Sequence, residues 1–463
     1  MDLLKILVDE IAHGDGTLFL VGGAVRDELL GIQNKDLDVE SFGLSENDLE
    51  KCLLNFIRRH SLRLSSVGKS FRVFKISDVN GNELDISLPR LDHKIGVGHK
   101  GFEVTADPLL SFEKAASRRD FTINAIMKNL HTNELVDPFN GKADLENRIL
   151  RATSEHFAED PLRVLRGFQF VSRFGLKAEE RTLEMCRTLK DEFSTLAKER
   201  IWAEWEKWAL KCETPSLGLK FLVDSHWIDH FPELKNLIDV PQHFQYHPEG
   251  CVFVHTLHVC DAAAMIANRE GLKGEDRVTI VLAALCHDLG KAVTTEFTDG
   301  QWRSPGHAEA GVPLSQSFLK RIGCLDRIIE RVLPLVSEHM AAVIPAKEMT
   351  DRMVRRLCSR LGAATLPELM MIFEADFSGR PPLAKGLNDG AKRIWEIAGR
   401  LSLKGEKPKG IIGGKHLLAK GLKPGPQFGL IIKRCFEAQL DGAFHDEKGA
   451  VAFLEDLTTG SGL

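Results

Sequence analysis

The sequence predicts an α+β protein: a small mixed sheet near the N-terminus, followed by an all-helical remainder. Three observations carry this. Strand alternation and tight turns concentrate in roughly the first 150 residues. From Asp144 onward the apolar residues recur at helical spacing. A chain of 463 residues is also too long for one core, so about three domains are expected.

In order, residues 1–14 read as a short amphipathic helix (Leu3, Leu4, Ile6, Leu7, Ile11) covering the first strand. The apolar run Leu18–Val21 breaks at Gly22-Gly23 and gives way to a helical pattern through Leu30. A polar gap leads into Asp36-Leu37-Asp38-Val39-Glu40, a strand in which Asp36 and Asp38 share one face while Leu37 and Val39 face the core. Two carboxylates on one face repel unless cations sit between them. That geometry suits two Mg²⁺ ions held against a triphosphate. The Gly22-Gly23 turn supplies backbone N–H groups for the phosphates. A surface hairpin whose Asp pair merely faces water is the alternative. Glu40 and Asp85 are further carboxylates near that face by strand logic, and no role is assigned to them.

Ser45 opens the next helix. Strands are expected at Phe71–Ile76 and Glu83–Leu88 around the turn Asn80-Gly81-Asn82, and Pro89 to Phe112 reads as a long polar loop. Then come Arg118-Arg119-Asp120-Phe121-Thr122-Ile123-Asn124 and strand-like Leu135-Val136 with the turn Pro138-Phe139-Asn140-Gly141. Arg119 and Asp120 can bracket a ribose, and Asn124 and Arg118 can reach a triphosphate.

Glu159, Asp160 and Arg163 flank Pro161, a first-turn proline. On a helix Glu159 and Arg163 are i and i+4, so Glu159 is expected to fix Arg163. Asp160 and Arg163 then present an acceptor beside a fork of donors. Cytosine and adenine each offer an amino donor next to ring acceptors, which fits. Uracil and guanine are mismatched, and each mismatch buries an unpaired group costing about 1–3 kcal/mol. Farther on, Ile201, Trp205 and Trp208 occupy one helix face and read as core.

In this order and spacing, GGAVRD, KDLDVE, RRDFTINA, VDPFNGKADL and EDPLRVLRGFQF resemble the successive motifs of the bacterial class II tRNA nucleotidyltransferases, the CCA-adding enzymes. Bacterial-type poly(A) polymerases share the same head. The resemblance covers about residues 17–210. It implies a polymerase β-like nucleotidyltransferase head and template-independent addition of CMP and AMP, from CTP and ATP, to the 3′ end of tRNA. It implies Asp36 and Asp38 as the catalytic, Mg²⁺-holding pair. Nucleotide binding falls to Gly22, Gly23, Arg26, Arg119, Asp120, Asn124, Glu159, Asp160, Arg163 and Arg166.

A second chemistry begins near residue 243. His255 lies in one helix, His287-Asp288 ends an apolar helix with Gly290 available as its stop, His307 opens another and His339 closes the next. Asp376 follows in EADFSGR. Imidazole with carboxylate suits a divalent transition metal or Mg²⁺. The order His255, His287-Asp288, Asp376 resembles the HD phosphohydrolase motif, which implies these four as metal ligands. His307 and His339 match extra positions that bind phosphate or a second metal in HD domains. Their roles here stay open.

Net charge is −5 overall, yet Arg352 to Cys435 holds 17 Lys/Arg against 6 Asp/Glu. Such segregation suits a polyanion; a solvated basic face is the alternative. No run approaches the roughly 18 apolar residues of a membrane span. The N-terminus carries acids and no cleavage site, unlike a signal or transit peptide. Nine cysteines without a CxxC pair fit buried thiols in a reducing cytoplasm.

The expected organisation is a head over 1–150, a helical neck with the nucleobase template over 151–242, an HD phosphohydrolase domain over 243–380 and a basic helical tRNA-binding tail over 381–463. Expected partners are tRNA, CTP and ATP, with no membrane and no protein partner. The rivals are a partial CC- or A-adding enzyme or poly(A) polymerase, and, from another class, an HD phosphohydrolase with an RNA-binding head.

The polarity argument sets a test. Asp160→Asn can donate to uracil O4 and Arg163→Asp can accept from N3–H, so the double variant should raise UMP over CMP incorporation on tRNA ending before its CCA. The absolute rate should fall. An unchanged ratio with measurable residual activity would move base reading elsewhere.

Overall fold

The computed structural model describes residues 3–33, 37–60, 62–67, 73–77, 83–94 and 102–459. Asp36 and the turn Asn80-Gly81-Asn82 lie outside them. The chain forms two compact units, residues 1–208 with 217–230, and residues 209–216 with 231–463.

In the first unit, helix α1 (Leu3–Ala12) buries Leu7, Val8 and Ile11, as its amphipathic pattern predicts. Strand β1 (Thr17–Val21) leads through Gly22 into α2 (Gly23–Leu29), and β2 (Leu37–Phe42) returns antiparallel to β1. Ser45 caps α3 (Glu46–His60) by accepting from the Asp48 N–H at 3.2 Å. Strands β3 (Arg63–Val67), β4 (Val73–Ser77) and β5 (Glu83–Ser87) follow. The expected loop after Pro89 instead carries an antiparallel pair, β6 (Arg90–Lys94) and β7 (Phe102–Ala106). The stretch shows little periodicity in sequence, because glycines separate the two short runs and hide their pairing.

Helix α4 (Phe112–Ser117), strands β8 (Met127–Asn129) and β9 (Leu135–Val136), helix α5 (Gly141–Glu146) and the short β10 (Ile149–Leu150) complete the head. Seven of the described strands make one mixed sheet in the order β3-β4-β5-β2-β1-β8-β9, with β2 and β5 its parallel pair. Its core includes Val25, Val39, Leu49, Phe74 and Ile86. The mixed sheet predicted from sequence is thus present, with β3 and β8 added to it. Residues 149–150 pair in parallel with β11 (Lys177–Ala178), which follows α6 (Leu162–Phe174). Helices α7 (Glu180–Thr188), α8 (Lys198–Lys211) and α9 (Pro215–Asp224) continue the chain. Trp205 and Trp208 are fully buried against Phe168, ring centroids 4.7 and 5.5 Å away, the core role their spacing predicts.

The second unit is helical: α10 (Pro232–Lys235), α11 (Val252–Arg269), α12 (Gly274–Cys286), α13 (Lys291–Thr294), α14 (His307–Arg321), α15 (Asp326–Glu338), α16 (Asp351–Arg360), α17 (Leu366–Ser378) and α18 (Asp389–Arg400). A two-stranded ribbon, β12 (Glu296–Thr298) and β13 (Gln301–Arg303), interrupts it. Helix α11 packs on α12 and α17, and α14 on α15. Gly290 is not a left-handed stop. Its φ is ordinary (−65°), and a Cβ there would meet the His307 carbonyl at 2.0 Å, so glycine is needed to let the chain pass α14 closely.

Helices α19 (Gly414–Ala419), α20 (Pro426–Asp441) and α21 (Glu447–Thr459) enclose a small core of Ile412, Leu417, Ile431 and Leu454. The basic segment is partly neutralised by acids on either side of it. Arg352 and Arg356 pair with Asp441, Arg360 with Glu338, and Arg400 with Asp351. Exposed Lys407, Lys423, Lys433 and Arg434 have no carboxylate partner among the described residues. All nine cysteines are free thiols, and no described helix is long and apolar enough to cross a membrane.

The turn Asp137–Gly141 is held by the Asp137 carboxylate, which accepts from the Gly141 and Lys142 N–H groups at 2.8 and 2.9 Å. A Cβ on Gly141 would stand 2.0 Å from the Thr122 carbonyl. Gly141→Ala should therefore lower stability by about 1–3 kcal/mol and slow nucleotide addition, read by thermal melting and tRNA end labelling. An unchanged melting temperature would show that the turn has room.

Candidate active sites

In the head, Gly22 takes φ +68°, and a Cβ there would reach within 3.0 Å of Arg119 Nη1. Glycine thus serves both the turn and the approach of that guanidinium. Arg119 and Arg118 each donate to Glu40 Oε1, at 2.8 and 3.3 Å. Glu40 is buried, and its other oxygen lacks a hydrogen bond. Asp38 is exposed on the same strand and stands opposite Asp85 in the parallel β2–β5 register. Asp85 is ion-paired with Lys75 at 2.8 Å. The partner carboxylate in the expected pair, Asp36, lies outside the described residues.

Arg26, Asn124 and Asp120 form one buried chain, closed at its outer end by the half-buried Arg166. Arg26 donates through Nε and Nη2 to Asp27 Oδ1 at 2.9 and 2.6 Å, and through Nη1 to Asn124 Oδ1 at 2.6 Å. Asn124 Nδ2 donates to Asp120 Oδ1 at 2.9 Å, and Arg166 Nε to Asp120 Oδ2 at 2.6 Å. The Arg26 guanidinium also lies over Phe174, 4.5 Å from its centroid. Burial alone would raise the Asp120 carboxyl. The Arg166 charge and the hydrogen bonds from Asn124 and Arg166 outweigh it and hold the pKa at about 2. Gly23 opens α2 next to Arg26.

The Glu159–Arg163 pair expected from helical spacing does not form. Residues Glu155–Glu159 are a 3₁₀ turn, Asp160 is extended and α6 begins only at Leu162, so the two are not one turn apart. Glu159 instead pairs with His156 Nδ1 at 2.8 Å. Arg163 donates to the carbonyls of His156 (2.5 Å) and Arg118 (2.6 Å), which ties α6 to the RRD segment. Asp160 accepts from the Leu162 N–H at 3.1 Å and from Arg200 Nη2 at 2.7 Å. Asp160 and Arg163 are thus brought to one helix start without being paired to each other.

In the helical unit, Asp288 collects imidazoles. His287, His307 and His339 place Nε2 at 3.2, 3.4 and 3.7 Å from its carboxylate oxygens, and His255 Nε2 is 3.7 Å away. Asp376 Oδ1 lies 3.1 Å from His255 Nε2. All six side chains predicted or noted from sequence therefore converge. Two overlapping ligand groups result, His255-His287-Asp288 and Asp288-His307-His339, sharing Asp288. The rings are aimed from behind: Nδ1 of His287, His307 and His339 donates to the Ala284, Ser304 and Val336 carbonyls, each at 2.7 Å. Lys291 Nζ stands 2.7 Å from Asp288 Oδ2, yet neither Asp288 oxygen receives a well-directed hydrogen bond. A buried carboxylate left so, facing imidazole Nε2 atoms, fits a divalent cation.

Electrostatics agree. Burial would lower the His255 pKa, but hydrogen bonds to Asp376 and Glu249 push it up to about 9. That field favours positive charge at the spot, whether proton or metal. Asp288 and Asp376 are held well below the carboxylate range against the cost of burial, chiefly by His287 and Lys291 for the first and by His255 for the second. His307 is pushed down to about 4 by burial.

Two contributors escaped the sequence reading. Glu249 Oε1 is 2.7 Å from His255 Nδ1 and 2.9 Å from His247 Nδ1, so it orients the His255 ring. It sits in a non-helical stretch, with no periodicity to flag it. Lys291 belongs to HDLGK but drew no role.

Family comparisons match three parts of the chain. Residues 18–151 match the Poly A polymerase head domain, 175–238 the probable RNA and SrmB-binding site of polymerase A, and 252–376 the HD domain. The multifunctional CCA protein of Xanthomonas oryzae pv. oryzae (strain MAFF 311018) is 35% identical over 437 residues, 92% of this chain and 98% of that one. Among solved structures, a CCA-adding enzyme in complex with ATP matches with TM-score 0.64 at 21% identity, over 100% of this chain and 94% of that one. The Thermotoga maritima CCA-adding enzyme complexed with tRNA_CCA matches with TM-score 0.60 at 21% identity, over 98% and 95%.

The depressed Asp120 pKa has a consequence for stability. Its folded value of about 2 lies below the ordinary 3.8, so its contribution is complete above pH ~4 and lost as pH falls through ~2. By linkage this is worth about 2 kcal/mol at neutral pH. Asp120→Asn should lose that much and show a shallower decline in stability between pH ~4 and ~2, measured by urea titration. Identical pH slopes for variant and wild type would contradict the buried chain.

Proposed function

The chain belongs to the multifunctional CCA proteins, bacterial CCA-adding enzymes with an HD domain, and we propose how its two sites divide the work. The enzyme adds CMP and AMP, from CTP and ATP, to the 3′ end of tRNA. Asp36 and Asp38 would hold Mg²⁺ in the head, where it would supply charge to activate the RNA 3′ hydroxyl and steady the leaving pyrophosphate. The Gly22-Gly23 turn and Arg119 face the triphosphate, with Glu40 fixing Arg118 and Arg119. Asp120 accepts from the ribose, held in place by Asn124 and Arg166. Arg26 acts by fixing Asn124. Asp160 and Arg163, at the start of α6, read the base edge.

The HD cluster hydrolyses a phosphoester. The convergence of four imidazoles and Asp376 on Asp288 supports this reading. A divalent metal there would lower the pKa of a bound water and polarise the phosphate. Lys291 adds a donor for phosphate oxygens, and the backbone carbonyls behind His287, His307 and His339 fix the proton of each neutral ring on Nδ1 and turn Nε2 inward. The segments 1–150, 151–242, 243–380 and 381–463 serve as head, template-bearing neck, phosphohydrolase and tRNA-holding tail. The free cysteines support a cytoplasmic setting.

The single observation that carries the division is that the two clusters share no residue. Asp38→Ala should abolish CMP and AMP incorporation into tRNA lacking its CCA end, while metal-dependent phosphate release survives. Asp288→Ala should do the reverse. Substantial CMP incorporation by Asp38→Ala, or loss of tRNA repair in Asp288→Ala as complete as that in Asp38→Ala, would overturn the division.

A further inference from the structure

The HD pocket has a wall that metal chemistry leaves unexplained. Its cavity is about 450 Å³, the size of sites that enclose a whole small ligand, and a phosphate group would occupy only the floor at Asp288. One wall is Trp302, on the ribbon β12–β13. The indole is 39% exposed and is backed by Phe297, itself 61% exposed, with ring centroids 5.0 Å apart. An exposed aromatic pair on a two-stranded ribbon gives little to folding, because such a ribbon is marginal by itself. This ribbon is pinned at its base, where the Thr295 and Ser304 hydroxyls are 2.9 Å apart. Its second strand runs directly into Ser304, whose carbonyl aims His307. The indole is therefore held at a fixed reach from the Asp288 cluster.

The other lining groups complete a pattern. Lys291 and Arg380 supply positive charge, and Arg380 stacks on Phe377 at 3.9 Å with its Nε buried and without a hydrogen bond. Tyr246, the chain's single tyrosine, lines the same pocket and is 57% exposed. Cations beside a hydrolytic cluster, with a flat aromatic wall above them, suit a phosphate that carries a planar base.

We propose that Trp302 is the base platform of the HD pocket, selecting nucleoside phosphates over small aliphatic phosphoesters whatever their base. The proposal rests on the phosphohydrolase reading of the site. The phosphate lies over Asp288 between Lys291 and Arg380, and the base stacks on the indole. Stacking tolerates every base because each has a π face.

Guanosine monophosphate is the chosen probe, because the Asp160–Arg163 polarity rejects guanine in the head. Phosphate release from it is compared with release from glycerol 3-phosphate, using the full-length protein with Mn²⁺. Trp302→Ala should raise KM for guanosine monophosphate about tenfold relative to glycerol 3-phosphate, with kcat little changed. Trp302→Phe should restore most of the preference. A short 3′-phosphorylated oligoribonucleotide is run beside it. The rise on the free nucleotide assigns that source, the rise on the oligoribonucleotide alone assigns an RNA end, and either supports the platform. Equal losses on the nucleotide and on glycerol 3-phosphate, or no rescue by phenylalanine, would overturn it. If the wild type releases phosphate from none of the three, the phosphohydrolase reading fails. Equilibrium dialysis of guanosine monophosphate then decides the platform alone: Trp302-dependent retention sustains it, and Trp302-independent retention or none overturns it.

Discussion

The head depends on a buried hydrogen-bonded run of Asp27, Arg26, Asn124 and Asp120, ended by the half-buried Arg166 and drawn from three separate stretches of sequence. In a low-dielectric interior each of these bonds is strong, and each would be costly to leave unmade. Removing one member leaves its partners' polar groups unpaired, a loss of about 2 kcal/mol in the case of Asp120. The run therefore permits only one arrangement of the helix after β1, the turn at Thr122–Asn124 and helix α6. The groups left to face outward, Asp38, Arg119 and Asp160, inherit their positions from that arrangement. Arg26 shows the consequence most clearly: it is 4% exposed, and its donors are occupied by protein, so its contribution is the placement of Asn124.

The HD cluster solves the same problem with helix ends. The last carbonyls of a helix have no intrahelical partner. His287 and His339 each follow the final residue of a helix and bond through Nδ1 to the carbonyl three residues back. His307 does the same to the Ser304 carbonyl at the start of α14. One bond satisfies the carbonyl, sets the ring's tautomer and turns Nε2 toward Asp288. That is why chemically loaded histidines recur at helix boundaries in this sequence.

Much of this was legible beforehand. The glycine pair, the Asp38–Val39 alternation and the ordered motifs located the head, and six dispersed histidines and aspartates located the HD cluster. What escaped was whatever lacks a local period. The β6–β7 pair is split by glycines, Glu249 lies in irregular chain, and the buried run in the head spans about 140 residues of sequence. The Glu159–Arg163 pair failed for a related reason. Its i, i+4 spacing assumes a continuous helix, whereas Pro161 fixes the helix start after Asp160 and leaves Glu159 on a separate turn.

Charge counted along the chain misleads in the same manner. The excess of positive residues between Arg352 and Cys435 treats the segment as isolated, but Arg352, Arg356, Arg360 and Arg400 find their acids at Asp441, Glu437, Glu338 and Asp351, all outside it. An arginine paired to a carboxylate has little field left for a phosphate, and exposed pairs of this kind are worth no more than about 1 kcal/mol each. Their effect is to tie α16 to α15, α18 and α20. Exposed cations without such partners among the described residues are Lys385, Lys407, Lys415, Lys423, Lys433 and Arg434. They run from residue 385 to α20, so the unpaired positive charge is smaller than the sequence count suggests.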